Sequence, residues 1–291
     1  MAVILLSATT DPASQNLKQT LLKKAEWTPW STFSSHPVYR HQDFSDVYLL
    51  TITDNKIFHE HIDVEIVDAL DIQPELFIFL SRHRSKTGLR SLTVHPIGNY
   101  REAKFGGRNN TLVPCAPQVM TQLLRLLWHH HESSSLNWQV CFEVTHHGPF
   151  LETPTVFIEI GSTKQQWGLT KPAAVIVTTL LELFQSKYHE DDFIHGHPIV
   201  IGIGGGHYAP RFTDVALHKQ VAFGHMIPTY QVDPDCFDLS VIQQAMKATP
   251  GCTGVYIHKK SFKKSQVTTL KHLLQDADIS IFSSKDLLPL S

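Results

Sequence analysis

Cysteine is scarce in this sequence: Cys115, Cys141, Cys236 and Cys252 are the only four, far apart and never spaced as C-x-x-C. That excludes a disulfide framework and an all-cysteine zinc site, and leaves reduced, mostly buried thiols. No apolar run approaches the roughly 20 residues needed to span a bilayer. The apolar start at 1–7 is short and lacks a basic n-region, so it reads as a first core strand rather than a signal peptide, and the sequon Asn109-Asn110-Thr111 has no secretory context. Charge of one sign is also missing. With 25 basic and 27 acidic residues the formal charge is −2, so any contact with a polyanion must use local patches. There is no H-E-x-x-H helix, no G-x-S-x-G elbow and no Gly-Lys-Ser/Thr phosphate loop, which removes the ordinary signatures of zinc proteases, serine hydrolases and P-loop NTPases. No internal repeat or low-complexity tract stands out.

What is present suits a globular protein: 291 residues, 42% of them hydrophobic, are enough for one large or two medium cores. A strand at 2–6 is followed by Asp11 as an N-cap, Pro12 at the first helical position, and Leu17, Leu21 and Leu22 on one face. Further strands are expected at 47–52, 76–80, 92–95, 138–144, 155–160, 199–203, 254–258 and 279–282, and helices at 117–128, 172–185, 239–246 and 266–275. Alternating elements and continuously apolar strands predict an α/β fold, a mostly parallel sheet flanked by helices with room for a smaller second subdomain. The chain reads as one unit over 1–291, with a faint signal for a subdivision near 190, at Tyr188-His189-Glu190-Asp191-Asp192. Residues 81–116 look like a long ordered excursion, the kind of segment that is usually functional or disordered.

Nineteen histidines are the compositional outlier. The first constellation is Gly202-Ile203-Gly204-Gly205-Gly206-His207-Tyr208, which follows the apolar run 198–201. A strand ending in glycines exposes bare backbone N–H groups beside an imidazole and a phenol, a way to hold an anion or a reacting carbonyl. His207 stands where a dinucleotide fingerprint needs glycine, and Pro210 discourages an immediate helix, so a backbone nest is expected rather than a helix N-terminus. A tight turn in which glycine only relieves crowding is the plainer alternative.

The second constellation is Glu143-Val144-Thr145-His146-His147-Gly148-Pro149. On a strand, Glu143, Thr145 and His147 share one face and His146 takes the other, and a carboxylate with an imidazole can serve as base and orienter or as two metal ligands. Glu159, before Gly161-Ser162, offers a further carboxylate. Third, Ser81-Arg82-His83-Arg84-Ser85 leaves a strand end, with His95-Pro96-Ile97-Gly98-Asn99 shortly after; arginines and hydroxyls there can grip a phosphate or a ribose. The basic run Lys259-Lys260-Ser261-Phe262-Lys263-Lys264 can track an RNA backbone or simply face solvent. His59-Glu60-His61 would place two imidazoles on one strand face, and His129-His130-His131 at a helix C-terminus complements the helix dipole without needing a ligand.

Taken in order, Ser81-Arg82-His83, Leu92-Thr93-Val94-His95-Pro96-Ile97-Gly98-Asn99, Thr145-His146-His147-Gly148-Pro149, Glu159-Ile160-Gly161-Ser162 and Gly202 through Pro210 resemble the archaeal and plant type of D-aminoacyl-tRNA deacylase. Ala8-Thr9-Thr10-Asp11-Pro12-Ala13-Ser14, Gly224-His225 and Lys260-Ser261-Phe262-Lys263 are similar to that family as well. The likeness spans nearly the whole chain; His195-Gly196-His197, the poly-histidine run and residues 228–240 fall outside it. It implies a cytoplasmic, monomeric, zinc-dependent hydrolase on a phosphorylase/hydrolase-like α/β fold, with no membrane contact, that cleaves the ester between a D-amino acid and the terminal ribose of tRNA.

With no activated serine or cysteine in evidence, water on a metal is the expected nucleophile. The resemblance offers His83, His95, His147, His207 and Glu159 as metal ligands, and His146, Glu143 and His207 as proton-handling groups. It places Ser81, Arg82, Tyr208, Lys260 and the amides of Gly204, Gly205 and Gly206 against the substrate. A pocket admitting the side chain on only one side of the α-carbon would enforce chirality and tolerate many D-amino acids. Related folds also carry nucleoside phosphorylases and zinc exopeptidases, and a non-catalytic module binding the tRNA end is a third class open to these residues.

Overall fold

A computed structural model describes residues 2–186, 196–233 and 236–290. In chain order it begins β1 (Ala2–Ala8), α1 (Pro12–Lys24), β2 (Trp27–Phe33), β3 (His36–His41), β4 (Val47–Ile52), α2 (Ile62–Leu70), β5 (Pro74–Arg82), β6 (Ser91–His95), β7 (Gly98–Asn99) and β8 (Thr111–Leu112). It continues with α3 (Pro117–Ser133), β9 (Gln139–Phe142), β10 (Thr155–Gly161), α4 (Lys164–Trp167), α5 (Thr170–Gln185), β11 (Ile199–Ile203) and α6 (Pro210–His218). The last elements are β12 (Ala222–Ile227), α7 (Leu239–Lys247), β13 (Gly254–Ile257), α8 (Lys264–Asp276) and β14 (Ile281–Phe282).

The strands form an eight-stranded sheet in the order β2-β3-β4-β1-β5-β10-β6-β9, a four-stranded sheet β12-β11-β13-β14 and the small pair β7-β8. The four-stranded sheet is wholly parallel, and β4, β1, β5 and β10 run parallel at the centre of the large one. Pairing turns antiparallel where β10 meets β6 and at the β2-β3-β4 edge. This is the mostly parallel α/β architecture that alternation predicts. The large sheet is complete before residue 186 and the small one begins at Ile199. The subdivision expected at residues 188–192 lies outside the described residues. One apolar cluster nonetheless joins Ile158 and Leu124 of the first sheet's layer to Phe212, Phe223 and Tyr256 around the second.

The Asp11 carboxylate caps α1, accepting from the amides of Ala13 at 2.9 Å and Ser14 at 3.1 Å. Alternation along β10 then decides where chemistry sits. Val156, Ile158 and Ile160 enter the core under α1, α3 and α5, while Phe157 belongs to the cluster on the opposite face with Phe77, Phe79 and Ile66 of α2. Glu159 shares Phe157's side of the strand by the same period of two. Its direct neighbours in register are Ser81 on β5 and Thr93 on β6, and Phe157 faces His95. The polar centre thus lies on the face that the long helices do not cover.

Three expectations change. Pro210 occupies the first turn of α6, where its missing N–H is no loss and its fixed φ suits the helix, so the glycine loop does run into a helix within a few residues. His59-Glu60-His61 is not a strand: it closes a 3-10 turn, and His61, at φ +59°, precedes α2. Within the 81–116 excursion, β6 is fully buried and paired on both sides, so the loop character is confined to the segments that flank it, 83–90 and around 100–110.

Candidate active site

Strand β9 stops at Phe142, and the chain beyond it is held by bonds to both sheets: Glu143 N to Val94 O at 3.1 Å, Val144 N to His207 O at 3.0 Å and Thr145 N to Met226 O at 3.1 Å. Because the strand has ended and His147 sits at φ +50°, the two-residue alternation no longer applies. His146 and His147 therefore both line one cavity instead of facing apart. His83, Glu159 and His207 line it too, and His95 and Glu143 lie fully buried just behind. Residues from 83 to 207 thus converge on a single centre.

The tautomers of three imidazoles follow from their partners. Nδ1 of His95 lies 3.1 Å from Pro96 O, Nδ1 of His146 is 2.8 Å from Val144 O, and Nδ1 of His147 is 2.6 Å from Gly148 O. A carbonyl only accepts, so each Nδ1 carries the proton and each Nε2 keeps its lone pair. The rings adjoin, with centroids 4.3 to 5.1 Å apart, and one ligand atom from each lies within 4.8 Å of the others. Nε2 of His95 is buried without a hydrogen-bond partner. Burial, reinforced by the neighbouring histidines, keeps His146 neutral far below its ordinary range and holds His147 down to about 4. His146 and His147 are thus held as neutral imidazoles, and a neutral imidazole with a free Nε2 and an anchored Nδ1–H is the form in which histidine binds a metal ion.

The other half of the centre is a chain of carboxylates and imidazoles. Glu143 places Oε1 3.1 Å from His83 Nδ1 and Oε2 2.8 Å from His207 Nε2, while Glu159 lies 3.5 Å from His83 Nδ1 and 3.7 Å from His95 Nε2. Burial disfavours the His83 imidazolium, but the two carboxylates outweigh it and raise the group to about 11. Burial likewise opposes the ionised Glu143 and Glu159, yet the surrounding imidazoles hold both well below the usual carboxylate range. Both Glu143 oxygens lack a properly directed hydrogen bond. The same negative field raises His95 against its burial, and a field that draws a proton to Nε2 draws a cation as well. His83 with Glu143 and His207, and His95 with Glu143 and Glu159, are further groupings of ligand-forming atoms within 4.8 Å.

Several residues expected at the substrate lie elsewhere in the arrangement. Ser81 and Arg82 line the cavity, Arg82 stacking over Trp167 at 5.2 Å. Tyr208 supports His83 through a 3.0 Å contact between its hydroxyl and Nε2. The Gly204 and Gly205 amides are already engaged, by Ile227 O at 2.8 Å and Thr229 Oγ1 at 3.0 Å, which leaves only Gly206 N–H without a partner among the described residues. The loop is therefore no open nest of three amides. Lys260, in a 3-10 turn over Lys259–Ser261, does not line the cavity.

Three supports carry roles that the motifs did not assign. His225 is buried between Thr145 Oγ1 at 3.0 Å and Val113 O at 2.9 Å, bracing the His146 segment from behind. Lys56 reaches the cavity wall buried in an ion pair with Asp11, whose carboxylate also accepts from Arg82 N. Glu60 accepts from Gly107 N at 2.7 Å and Phe150 N at 2.9 Å, and so pins the 100–110 loop to the chain just after His147. Its only advance sign was a carboxylate between two histidines. Glu60→Ala releases both amides, and we expect a loss of about 2 kcal/mol, a drop of a few degrees in thermal midpoint by calorimetry.

Comparisons with known proteins show what the chain is similar to. A family model for D-aminoacyl-tRNA deacylase matches residues 70–282. The D-aminoacyl-tRNA deacylase of Pyrococcus furiosus is 35% identical over 229 residues, 78% of this chain and 80% of that one. That of Methanothrix thermoacetophila is 32% identical over 285 residues, 98% of this chain and 97% of its own. The crystal structure of a conserved protein of unknown function superposes with a TM-score of 0.86 at 27% identity, covering 100% of this chain and 99% of that one.

Proposed function

The chain belongs to the D-aminoacyl-tRNA deacylase family, and from that premise we propose how its residues hydrolyse the ester between a D-amino acid and the terminal ribose of tRNA. The phosphorylase, exopeptidase and non-catalytic alternatives lose their ground to that membership. The observation that carries the chemistry is the set of three Nδ1–H groups anchored on backbone carbonyls, which leaves three bare Nε2 atoms together.

His95, His146 and His147 would hold a zinc ion, since three imidazoles with an open fourth position are an ordinary set for a catalytic zinc. When bound, zinc supplies a Lewis acid and lowers the pKa of water toward 7. His207, partly exposed on the cavity wall, takes the proton released by the attacking water and returns it to the ribose oxygen that leaves. Glu143 is a positioning residue: its carboxylate lies 2.8 Å from His207 Nε2, where it can orient the ring and balance the charge that ring acquires. His83, held cationic between Glu143 and Glu159 and braced by Tyr208, keeps the two buried carboxylates from repelling each other. Ser81 and Arg82 line the cavity and are placed to bind the substrate, whereas neither Gly206 nor Lys260 lines it, and Lys260 is kept only as a distal RNA contact.

The test compares D-Tyr-tRNA with L-Tyr-tRNA, with and without a chelator, and follows the surviving ester. Selective loss of the D form, abolished by the chelator and restored by zinc, is expected. Equal hydrolysis of both forms, or full activity in the chelator, contradicts the reading.

A further inference from the structure

Resting on the deacylase reading, we infer that the cavity mouth is a clamp for the unpaired 3′ nucleotides of tRNA, with Phe58, Phe105 and Tyr230 stacking the bases. Exposed aromatic rings are few: Trp30, Phe58, Phe105, Trp128 and Tyr230 among the described residues. Phe58, 53% exposed, Phe105, 65% exposed, and Tyr230, 57% exposed, all line the same cavity that His146, His147 and His207 line. Large rings left in water around one opening mark a binding surface, and base-on-ring stacking is how proteins grip single strands without reading sequence.

The rings are held by rigid supports. The 105–107 turn crosses the 57–58 backbone so closely that a Cβ added to Gly106, at φ +76°, would fall 1.5 Å from Ile57 O. Phe105 O accepts from Gly148 N at 3.0 Å, which links this ring directly to the segment bearing His147. Tyr230, from a different part of the chain, sits in the 3-10 turn Thr229–Gln231, and Thr229 is bonded twice to Gly205, its N donating to Gly205 O at 2.9 Å and its Oγ1 accepting from Gly205 N at 3.0 Å. The glycine loop thus positions an aromatic ring at the mouth.

Charge fits the same occupant. Arg84, Lys86, Arg101 and Lys164 are exposed, line the cavity and form no ion pair among the described residues, although the whole chain carries a formal charge of −2. These cations are available for phosphates. The cavity volume, about 1440 Å³, also exceeds the roughly 300–1,000 Å³ of a small-molecule pocket, leaving room beyond the aminoacyl ester.

The experiment uses the full chain with uncharged tRNA and with the same tRNA lacking its unpaired 3′ nucleotides, read by fluorescence anisotropy, alongside kinetics on D-Tyr-tRNA. The wild type should bind the intact tRNA about 10-fold or more tighter than the shortened one, and Phe58→Ala/Phe105→Ala should erase that preference. Its loss on D-Tyr-tRNA should fall on KM rather than kcat, with Phe105→Trp restoring binding and Phe105→Leu failing to. A double variant with wild-type affinity and wild-type preference overturns the clamp. Failure of the wild type to hydrolyse D-Tyr-tRNA would instead overturn the deacylase reading, and the binding arm decides the clamp in either case.

Discussion

His147→Ala should reduce D-Tyr-tRNA hydrolysis to the uncatalysed background and lower the zinc retained after dialysis, while the folded state persists. His147 supplies one of the three imidazoles grouped with free Nε2 atoms among the described residues, so its removal leaves two protein ligands where a catalytic zinc takes three. The side chain is not an apolar core element: it is partly exposed to the cavity, and its own bond is to the Gly148 carbonyl next to it in sequence. Far-UV circular dichroism should therefore match the wild type, and zinc content by mass spectrometry should fall together with activity. Undiminished turnover in this variant would remove the three-imidazole assignment.

Glu143→Gln is expected to lower kcat about 10²- to 10⁴-fold with zinc still bound, because the amide can neither fix the His207 ring as an anion does nor balance its charge. The same change removes one of the two carboxylates that raise His83 to about 11. A histidine raised in the folded state stabilises the fold in full below its unfolded value of 6.5, and that contribution disappears as pH rises through the folded value. In Glu143→Gln the His83 resonance should titrate at lower pH by NMR, and the stability loss should set in correspondingly earlier. A kcat within a few-fold of wild type, or an unmoved His83 titration, would show that Glu143 is not the shared partner of His83 and His207.

Much of the fold could be read from the chain because its central strands are unbroken apolar runs. The expected strands at 47–52 and 199–203 match β4 and β11, and Asp11 with Pro12 opens α1 as its capping chemistry requires. The elements that escaped are the ones that violate the simple patterns. Strand β2, WTPWSTF, is an exposed edge carrying Pro29, and β12, AFGHMI, buries His225 inside an otherwise apolar strand because Thr145 and Val113 satisfy its ring. Pro210 misled through the same fixed φ that suits it to the first turn of α6.

At the site, residue types were legible and their grouping was not. Glu143, His146, His147, His95 and His207 could be named from motifs, but the division proposed above, into a metal-holding trio and a proton-handling chain, depends on which backbone carbonyl each Nδ1 meets, and on the left-handed turn at His147. The apparent phosphate nest at Gly204 and Gly205 failed because tertiary bonds to Ile227 and Thr229 consume both amides. No local pattern announces either fact. The aromatic rings at the mouth escaped for a related reason: Phe58, Phe105 and Tyr230 lie far apart in sequence and meet only around the cavity.

The most direct measurement is anomalous scattering at the zinc edge from crystals of the zinc-loaded protein. The arrangement of bare nitrogens predicts a peak bonded to Nε2 of His95, His146 and His147, facing the cavity that His207 lines. A peak held by other residues, or none in protein that remains active, would contradict it.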